Sequence, residues 1–112
     1  MPYLHVHTNV QVVDKPGFLA ACSRLTSKLL AKPESYVMVE LSDNQPMLFA
    51  GSDAPLAFVS LKSLGLATSQ TATISSRLSE LLMDELGVEA SRIYIDFASP
   101  ERAMFGWDGG TF

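Results

Sequence analysis

Residues 35–41 read Ser-Tyr-Val-Met-Val-Glu-Leu, and residues 91–97 read Ser-Arg-Ile-Tyr-Ile-Asp-Phe. The two segments match in character position by position at an offset of 56 residues, which is half the length of this 112-residue chain. Both are typical of β-strands. Leu25 and Leu30 have counterparts at the same offset in Leu81 and Leu86. The chain is therefore predicted to be a single domain, residues 1–112, built from two similar halves of about residues 1–55 and 56–112.

Each half is predicted to contain a strand, a helix and a second strand. Asp14 offers an N-cap for the first helix, and Gly87 stands where a left-handed C-terminal cap closes the second. Hydrophobic spacing predicts strands at residues 3–10, 36–41, 47–49 (short), 56–64 and 92–97, and helices over residues 17–31 and from Ser69 or Thr71 to Leu86.

Strand–helix–strand crossovers place two parallel strands in one sheet with the helix on one face. Two copies predict an α/β fold, classed as α+β in some schemes, with a four-stranded mixed sheet, both helices on one face, and short edge strands. The other face of the sheet would be uncovered, and the strands are rich in Val, Ile, Leu and Phe. We therefore expect another subunit to cover that face and the edge strands, without a defined number of subunits.

Composition excludes several classes of function. A net charge of −4 and a pI near 4.9 argue against binding to nucleic acid. The single cysteine, Cys22, allows neither an intrachain disulfide nor a cysteine-based zinc site, and it is expected to be buried. The chain has no apolar stretch long enough for a membrane span and no signal-peptide pattern, so we expect a cytoplasmic protein. His5 and His7 share one side of a strand but lack a third ligand, which favours hydrogen bonding over a metal site.

The chain begins Met1-Pro2. Removal of Met1 would leave Pro2 with a free secondary amine, and a terminal amine titrates at about 7.7–8.0 in short peptides. An apolar pocket would lower that pKa further, which suits a base in proton transfer. If Met1 stays attached, the Pro2 nitrogen is an amide and cannot be a base.

Several short motifs occur in order along the whole chain. They are Met1-Pro2, Thr8-Asn9, Phe18-Leu19, Lys32-Pro33, residues 49–52 (Phe-Ala-Gly-Ser), residues 60–65 (Ser-Leu-Lys-Ser-Leu-Gly), residues 92–96 (Arg-Ile-Tyr-Ile-Asp) and residues 106–112 (Gly-Trp-Asp-Gly-Gly-Thr-Phe). Together, in this order and spacing, they resemble the macrophage migration inhibitory factor family of the tautomerase superfamily.

The resemblance implies a homotrimer whose three sheets line a central barrel, with an active site at each subunit interface and no cofactor. It implies an isomerase, a phenylpyruvate tautomerase that interconverts the keto and enol forms of aromatic α-keto acids, with Pro2 as the base. The alternative is a cytokine-like binding or signalling protein with incidental tautomerase activity, a protein receptor as partner, and unconventional secretion by analogy with the family.

The resemblance also assigns substrate-binding residues. Lys32 would bind the substrate carboxylate, although a lysine at that place is also favoured by the dipole of the preceding helix. Ser63-Leu64 matches a segment with a backbone contact to substrate, with Leu64 in place of the usual Ile. The residues that match the aromatic pocket of the family are Tyr36, Tyr94, Trp107 and Phe112. The alternative for these four side chains is packing in the core or at an interface.

Three departures from the family pattern affect the expected activity. Asp96 stands where Asn is usual, and its charge should weaken binding of an anionic substrate and raise the pKa of Pro2. The alternative is that Asp96 is protonated or paired with a neighbouring group. Phe105 replaces a usual Val and narrows the pocket, so activity on dopachrome-type compounds is in question. Residues 56–59 read Leu-Ala-Phe-Val in place of a Cys-x-x-Cys pair, so thiol–disulfide exchange is expected to be absent.

Overall fold

The computed structural model describes all 112 residues, which form two α-helices, four short 3₁₀ helices and six strands. The α-helices are α1 (Lys15–Leu30) and α2 (Thr71–Leu86). The strands are β1 (Tyr3–Thr8), β2 (Met38–Ser42), β3 (Ala57–Lys62), β4 (Ile93–Ala98), β5 (Gly106–Trp107) and β6 (Gly110–Thr111). None of the helices has the combined length and hydrophobicity that crossing a bilayer requires.

The four longer strands form one mixed sheet in the order β2-β1-β3-β4. β1 pairs with β2 and β3 pairs with β4 in parallel, as two β-α-β units require, and the units meet where β1 and β3 run antiparallel. Strands β5 and β6 form a separate two-stranded hairpin at the end of the chain. The predicted four-stranded mixed sheet is confirmed.

The two helices begin and end 56 residues apart, in agreement with the repeat in the sequence. The Asp14 carboxylate accepts a hydrogen bond from the backbone N–H of Gly17 (3.1 Å) and caps α1. Both helices end in a left-handed residue, Ala31 at φ 52° and Gly87 at φ 67°. The predicted caps at Asp14 and Gly87 are confirmed, and Ala31 and Gly87 occupy equivalent positions in the two halves.

The core lies between the helices and one face of the sheet. Leu4 and Val6 of β1 alternate with outward-facing neighbours, as a half-buried strand requires. The buried side chains contributed by β3 and α2 are Ala57, Val59, Leu61, Ile74, Leu78 and Leu82. This cluster fixes which face of each strand points away from the helices.

The opposite face of the sheet is mainly polar, so our expectation of an apolar uncovered face was wrong. The valines, isoleucines and leucines of the strands point toward the helices, and the alternating positions carry other residues. The side chains of this outer face are Tyr3, His5, His7, Met38, Glu40, Ser42, Phe58, Ser60, Lys62, Tyr94, Asp96 and Ala98. Because the outer face is mainly polar, it gives no reason to expect an oligomer. The edges remain open, since β2 and β4 each pair with a strand on one side only.

Five strand predictions differ from the structure. Two differ in their bounds only: β3 covers Ala57–Lys62 rather than residues 56–64, and β4 covers Ile93–Ala98 rather than residues 92–97. Residues 47–49 form no strand: Phe49 pairs only with Ser52 across a tight turn. β1 ends at Thr8 rather than at residue 10, because the Thr8 hydroxyl accepts a hydrogen bond from the N–H of Val10 (3.1 Å) and turns the chain. Tyr36 lies in a short 3₁₀ helix before β2 rather than in the strand.

Candidate functional site

A pocket of about 240 Å³ opens at the N-terminal end of β1. Three segments line it: residues 1–3, residues 35–38 and residues 105–107. The first begins β1, the second leads from the short 3₁₀ helix into β2, and the third begins the C-terminal hairpin. Because most of the lining side chains are apolar or aromatic, the pocket is poorly suited to a charged group without a partner.

Pro2 is fully buried at this pocket. Its carbonyl oxygen accepts a hydrogen bond from the N–H of Met38 (3.0 Å), which extends the pairing of β1 with β2 by one residue. Met1 is attached to Pro2 in the structure, so the proline nitrogen is here an amide nitrogen. The pKa of the Met1 amine is lowered, first by burial and then by the positive charge of Lys32.

Lys32 lies just beyond the left-handed residue that ends α1, and its backbone is tied to the helix. Its N–H donates to the carbonyl oxygen of Ser27 (3.1 Å), and its own carbonyl oxygen accepts a hydrogen bond from the Ser27 hydroxyl. These bonds fix the Lys32 backbone at the end of α1, and the charge of its side chain lowers the pKa of the Met1 amine. This position also lies at the negative end of the α1 dipole, so both interpretations of Lys32 agree with the structure.

Four aromatic side chains form one cluster beside Pro2. Tyr36 meets Trp107 edge to face with centroids 6.4 Å apart, and Trp107 stacks on Phe112 at 6.0 Å with the planes inclined by 13°. Phe105 completes the cluster 5.9 Å from Phe112. Trp107 is 57% exposed and Tyr36 44% exposed. The structure thus brings these four residues together on a surface that solvent reaches, as an aromatic ligand would need.

Ser63 and Leu64 follow directly after Lys62, whose partner in the sheet is Tyr3, so they lie at the same end of the sheet as Pro2. Both are buried. The N–H of Ser63 donates to the carbonyl oxygen of Ala98 (3.0 Å), whereas the N–H of Leu64 has no partner within the chain. The backbone contact expected from this segment is therefore available at Leu64 and not at Ser63.

Tyr94 and Asp96 lie apart from this group. Both belong to β4, which is separated from β1 by β3, and both are exposed on the outer face. Tyr94 contacts Phe49 with centroids 4.8 Å apart, and it lines a different pocket of about 270 Å³ whose lining side chains are all hydrophobic. Asp96 stands opposite Ser60 in the sheet. One chain therefore does not bring these two residues to Pro2.

Some residues of these pockets were not singled out from the sequence. Tyr3, Val37 and Met38 line the pocket at Pro2, and the parallel register that places Tyr3 opposite Met38 was the missing information. Phe49 was noted only as part of a motif, and its contact with Tyr94 depends on the turn that follows it.

The structure contains no group of three or more His, Cys, Asp and Glu side chains positioned to hold a metal ion. His5 instead hydrogen-bonds through Nε2 to the hydroxyl of Ser42 (2.9 Å). Cys22 is buried as expected, and burial followed by the charge of Glu85 raises the pKa of its thiol to about 12. Such a thiol is inert at neutral pH.

The chain is similar over its whole length to known proteins. The family model for macrophage migration inhibitory factor (MIF) matches residues 1–112. A macrophage migration inhibitory factor homolog of Trichinella spiralis is 37% identical, with all of both chains covered, and the macrophage migration inhibitory factor of Mus musculus is 35% identical, covering 100% of this chain and 99% of the relative. The crystal structure of a homologue from Prochlorococcus marinus superposes with a TM-score of 0.93 at 36% identity, covering 98% of each chain.

Proposed function

The chain belongs to the macrophage migration inhibitory factor family and has its fold, and from this premise we propose that it is a cofactor-free keto–enol tautomerase. Its substrates are aromatic α-keto acids of the phenylpyruvate type. Pro2 is the base once Met1 has been removed, and the reaction class is that of an isomerase.

The reaction needs a base beside a carbon that is α to a carbonyl group. The neutral amine of Pro2 takes a proton from that carbon, the C–H electron pair forms the new C=C bond, and the π electrons of the carbonyl group move to its oxygen. That oxygen takes a proton from the Pro2 ammonium or from water and becomes the enol hydroxyl, so the net change is the transfer of one proton from carbon to oxygen. Ketonisation is the reverse, with the protonated amine returning the proton to carbon. The N–H of Leu64, which has no partner within the chain, is available to the oxygen or to the carboxylate.

The observation that carries this proposal is the burial of Pro2 at a pocket that Tyr36, Phe105 and Trp107 also line, with the charge of Lys32 acting on the adjoining Met1 amine. Burial and Lys32 already lower the pKa of the Met1 amine, and the same two causes would act on the amine of Pro2 after processing. The same lysine would attract the substrate carboxylate, and the ring of the substrate would lie against Tyr36 and Trp107.

We further propose that the active protein is a homotrimer in which a neighbouring subunit supplies Tyr94 and Asp96. Within one chain Tyr94 and Asp96 lie two strands away from Pro2. A pocket that contains Pro2 together with Tyr94 and Asp96 therefore requires a second chain. The charge of Asp96 and the bulk of Phe105 would then restrict the substrates, with dopachrome-type compounds the first to be affected.

The proposal is tested by measuring intact mass and ketonisation of phenylenolpyruvate on the same sample. Protein that lacks Met1 should accelerate ketonisation, and Pro2→Gly should largely abolish the acceleration although Gly permits the same processing. A matched variant inserts one alanine between Met1 and Pro2, which keeps the proline ring but converts its nitrogen to an amide. Full activity in either variant would contradict the role of Pro2.

The second candidate is a cytokine-like signalling protein, because relatives at 35–37% identity carry the name macrophage migration inhibitory factor. Binding to a protein receptor that survives Pro2→Gly unchanged, with its physiological effect intact, would favour this candidate over the enzyme.

A further inference from the structure

The guanidinium group of Arg92 binds a loop of the chain through four backbone carbonyl groups. Its Nε donates to the oxygen of Pro55 (3.0 Å), its Nη1 to that of Phe49 (3.2 Å), and its Nη2 to those of Ser52 (2.9 Å) and Ala54 (3.0 Å). All four acceptors lie within residues 49–55, a segment without regular strand or helix. One side chain therefore defines much of the shape of this loop.

The loop needs such a contact because its own sequence does not favour its turn. Phe49 and Ser52 exchange two backbone hydrogen bonds of 3.0 Å, which closes a two-residue turn at Ala50 and Gly51. Both central residues are left-handed, at φ 53° and φ 73°. Glycine adopts this conformation readily, but the β-carbon of alanine disfavours it. The hydrogen bonds from Arg92 offset that strain.

Arg92 also contacts the side chain that the loop presents. Its guanidinium carbon lies 5.4 Å from the centroid of the Phe49 ring, a cation–π distance, and the ring in turn packs on Tyr94 with centroids 4.8 Å apart. Tyr94 is 62% exposed and its hydroxyl forms no hydrogen bond within the chain. The Phe49 ring is therefore one restraint on the Tyr94 ring, which Phe58 also borders as the partner of Tyr94 across β3 and β4.

We propose that Arg92 is a positioning residue that fixes Tyr94 through the loop and Phe49, and thereby sets the affinity for the aromatic side chain of the keto acid. This inference rests on the proposed tautomerase function, because it takes Tyr94 as part of the pocket that receives the substrate ring. A lysine cannot replace Arg92. The planar guanidinium group has five N–H donors on three nitrogens and reaches all four carbonyl oxygens, whereas the ammonium group of lysine has three donors on one nitrogen.

The test compares two substrates in one assay, exchange of the α-proton for deuterium followed by NMR, with phenylpyruvate and the aliphatic 2-oxobutanoate. In Arg92→Lys, KM for phenylpyruvate rises roughly 2- to 10-fold, the size of one aromatic contact, while kcat and the KM for 2-oxobutanoate stay unchanged. Phe49→Leu raises KM for phenylpyruvate by a similar factor, because it removes the ring. Phe49→Tyr keeps an aromatic ring and therefore retains the wild-type KM. The control is Arg77→Lys, which makes the same substitution on α2, on the other side of the sheet. This variant should change neither KM.

An unchanged KM for phenylpyruvate in Arg92→Lys, or an equal rise for both substrates, overturns the inference. If Arg92→Lys fails to fold, Phe49→Leu tests the step from the loop to Tyr94, because it leaves the guanidinium and its four acceptors in place. An unchanged KM for phenylpyruvate in Phe49→Leu also overturns the inference. The NMR signals of the Tyr94 ring give a second measurement: they shift in both variants when the ring loses its contact with Phe49. A wild-type protein that exchanges neither substrate contradicts the proposed function itself, and is thereby distinguished from a failure of the Arg92 inference.

Discussion

The imidazole ring of His5 lies over that of His7, with the two centroids 3.7 Å apart and the planes inclined by 34°. His5 also hydrogen-bonds to Ser42 through Nε2 and lies 3.2 Å from the Tyr3 hydroxyl through Nδ1, and that hydroxyl in turn donates to Glu40. The cluster spans β1 and β2 on the outer face of the sheet. Burial lowers the pKa of His5 first, His7 lowers it further, and Glu40 partly opposes them.

The lowered pKa of His5 predicts a loss of stability in mild acid. Because the folded pKa lies below the unfolded value of about 6.5, the unfolded chain binds more protons, and stability falls as the pH falls from about 6.5 to the folded pKa. Denaturant midpoints at pH 7.5 and 5.5 measure this fall. His5→Gln keeps a hydrogen-bonding group toward Ser42 but does not titrate, so its midpoint should depend less on pH in this window. Equal pH dependence in both proteins would exclude His5 as the cause.

The unsatisfied hydroxyl of Thr26 leads us to predict that a substitution in the core is stabilising. The residue is 2% exposed on the buried side of α1, and its hydroxyl oxygen is buried without a hydrogen-bond partner. Thr26→Val has nearly the same shape and removes the unsatisfied group, so the free energy of unfolding should rise by about 1 kcal/mol or more. Thr26→Ser is the matched control, because it keeps the hydroxyl and removes the methyl group, and it should be destabilising. Urea titration that shows Thr26→Val less stable than wild type would contradict this account.

Much of the fold follows from the repeat alone. The offset of 56 residues predicted two matching helices, and their observed bounds differ by that offset at both ends. The polar outer face was not predicted, because the total content of Val, Ile and Leu in the strands does not say which face of the sheet these side chains occupy. The period of two along β1, with Leu4 and Val6 on one face and His5 and His7 on the other, places the polar side chains together. The apolar residues 47–49 predict a strand, but three apolar residues fit a turn equally well, and the structure has a turn after Phe49.

The candidate site was only partly predictable for a related reason. The pocket at Pro2 follows from motifs that lie at one end of the sheet. The separation of Tyr94 from Pro2 could not be read from the two β-α-β units, since it depends on the order β2-β1-β3-β4 that their packing produces. Arg92 was visible as part of a motif, but its role depends on the four carbonyl groups of a loop that no periodic pattern describes.

The equivalent positions Ala31 and Gly87 predict opposite effects of exchanging alanine and glycine. Both residues end a helix in the left-handed conformation, at φ 52° and φ 67°. An added β-carbon disfavours this conformation, so Gly87→Ala should lower the free energy of unfolding by about 1 kcal/mol, and Ala31→Gly should raise it by up to a similar amount. Each variant is the control for the other in thermal or urea unfolding. A change of the same sign at both positions would show that the cap conformation is not the cause.

Lys32 predicts linked changes in substrate affinity and in the pH dependence of the proposed tautomerase activity. Removing its charge in Lys32→Gln should raise KM for phenylpyruvate roughly 10- to 100-fold, the range for a charged hydrogen bond of about 1.5–3 kcal/mol. Lys32 lowers the pKa of the Met1 amine, and after processing its charge should act in the same way on the Pro2 amine. Loss of Lys32 should therefore raise the pKa of the Pro2 amine and move the acid limb of kcat/KM to higher pH. Lys32→Arg keeps the charge and should retain most of both effects.

The control for Lys32 is Lys28→Gln, one turn earlier on the exposed side of α1, because it removes the same charge away from the pocket. KM and the pH profile should both stay at their wild-type values in that variant. The lysine that binds the carboxylate and the lysine that holds the Pro2 amine neutral are the same residue in our proposal, so Lys32→Gln must move both quantities. A raised KM with an unmoved acid limb would leave Lys32 as a carboxylate ligand only, and would show that burial alone sets the pKa of the amine.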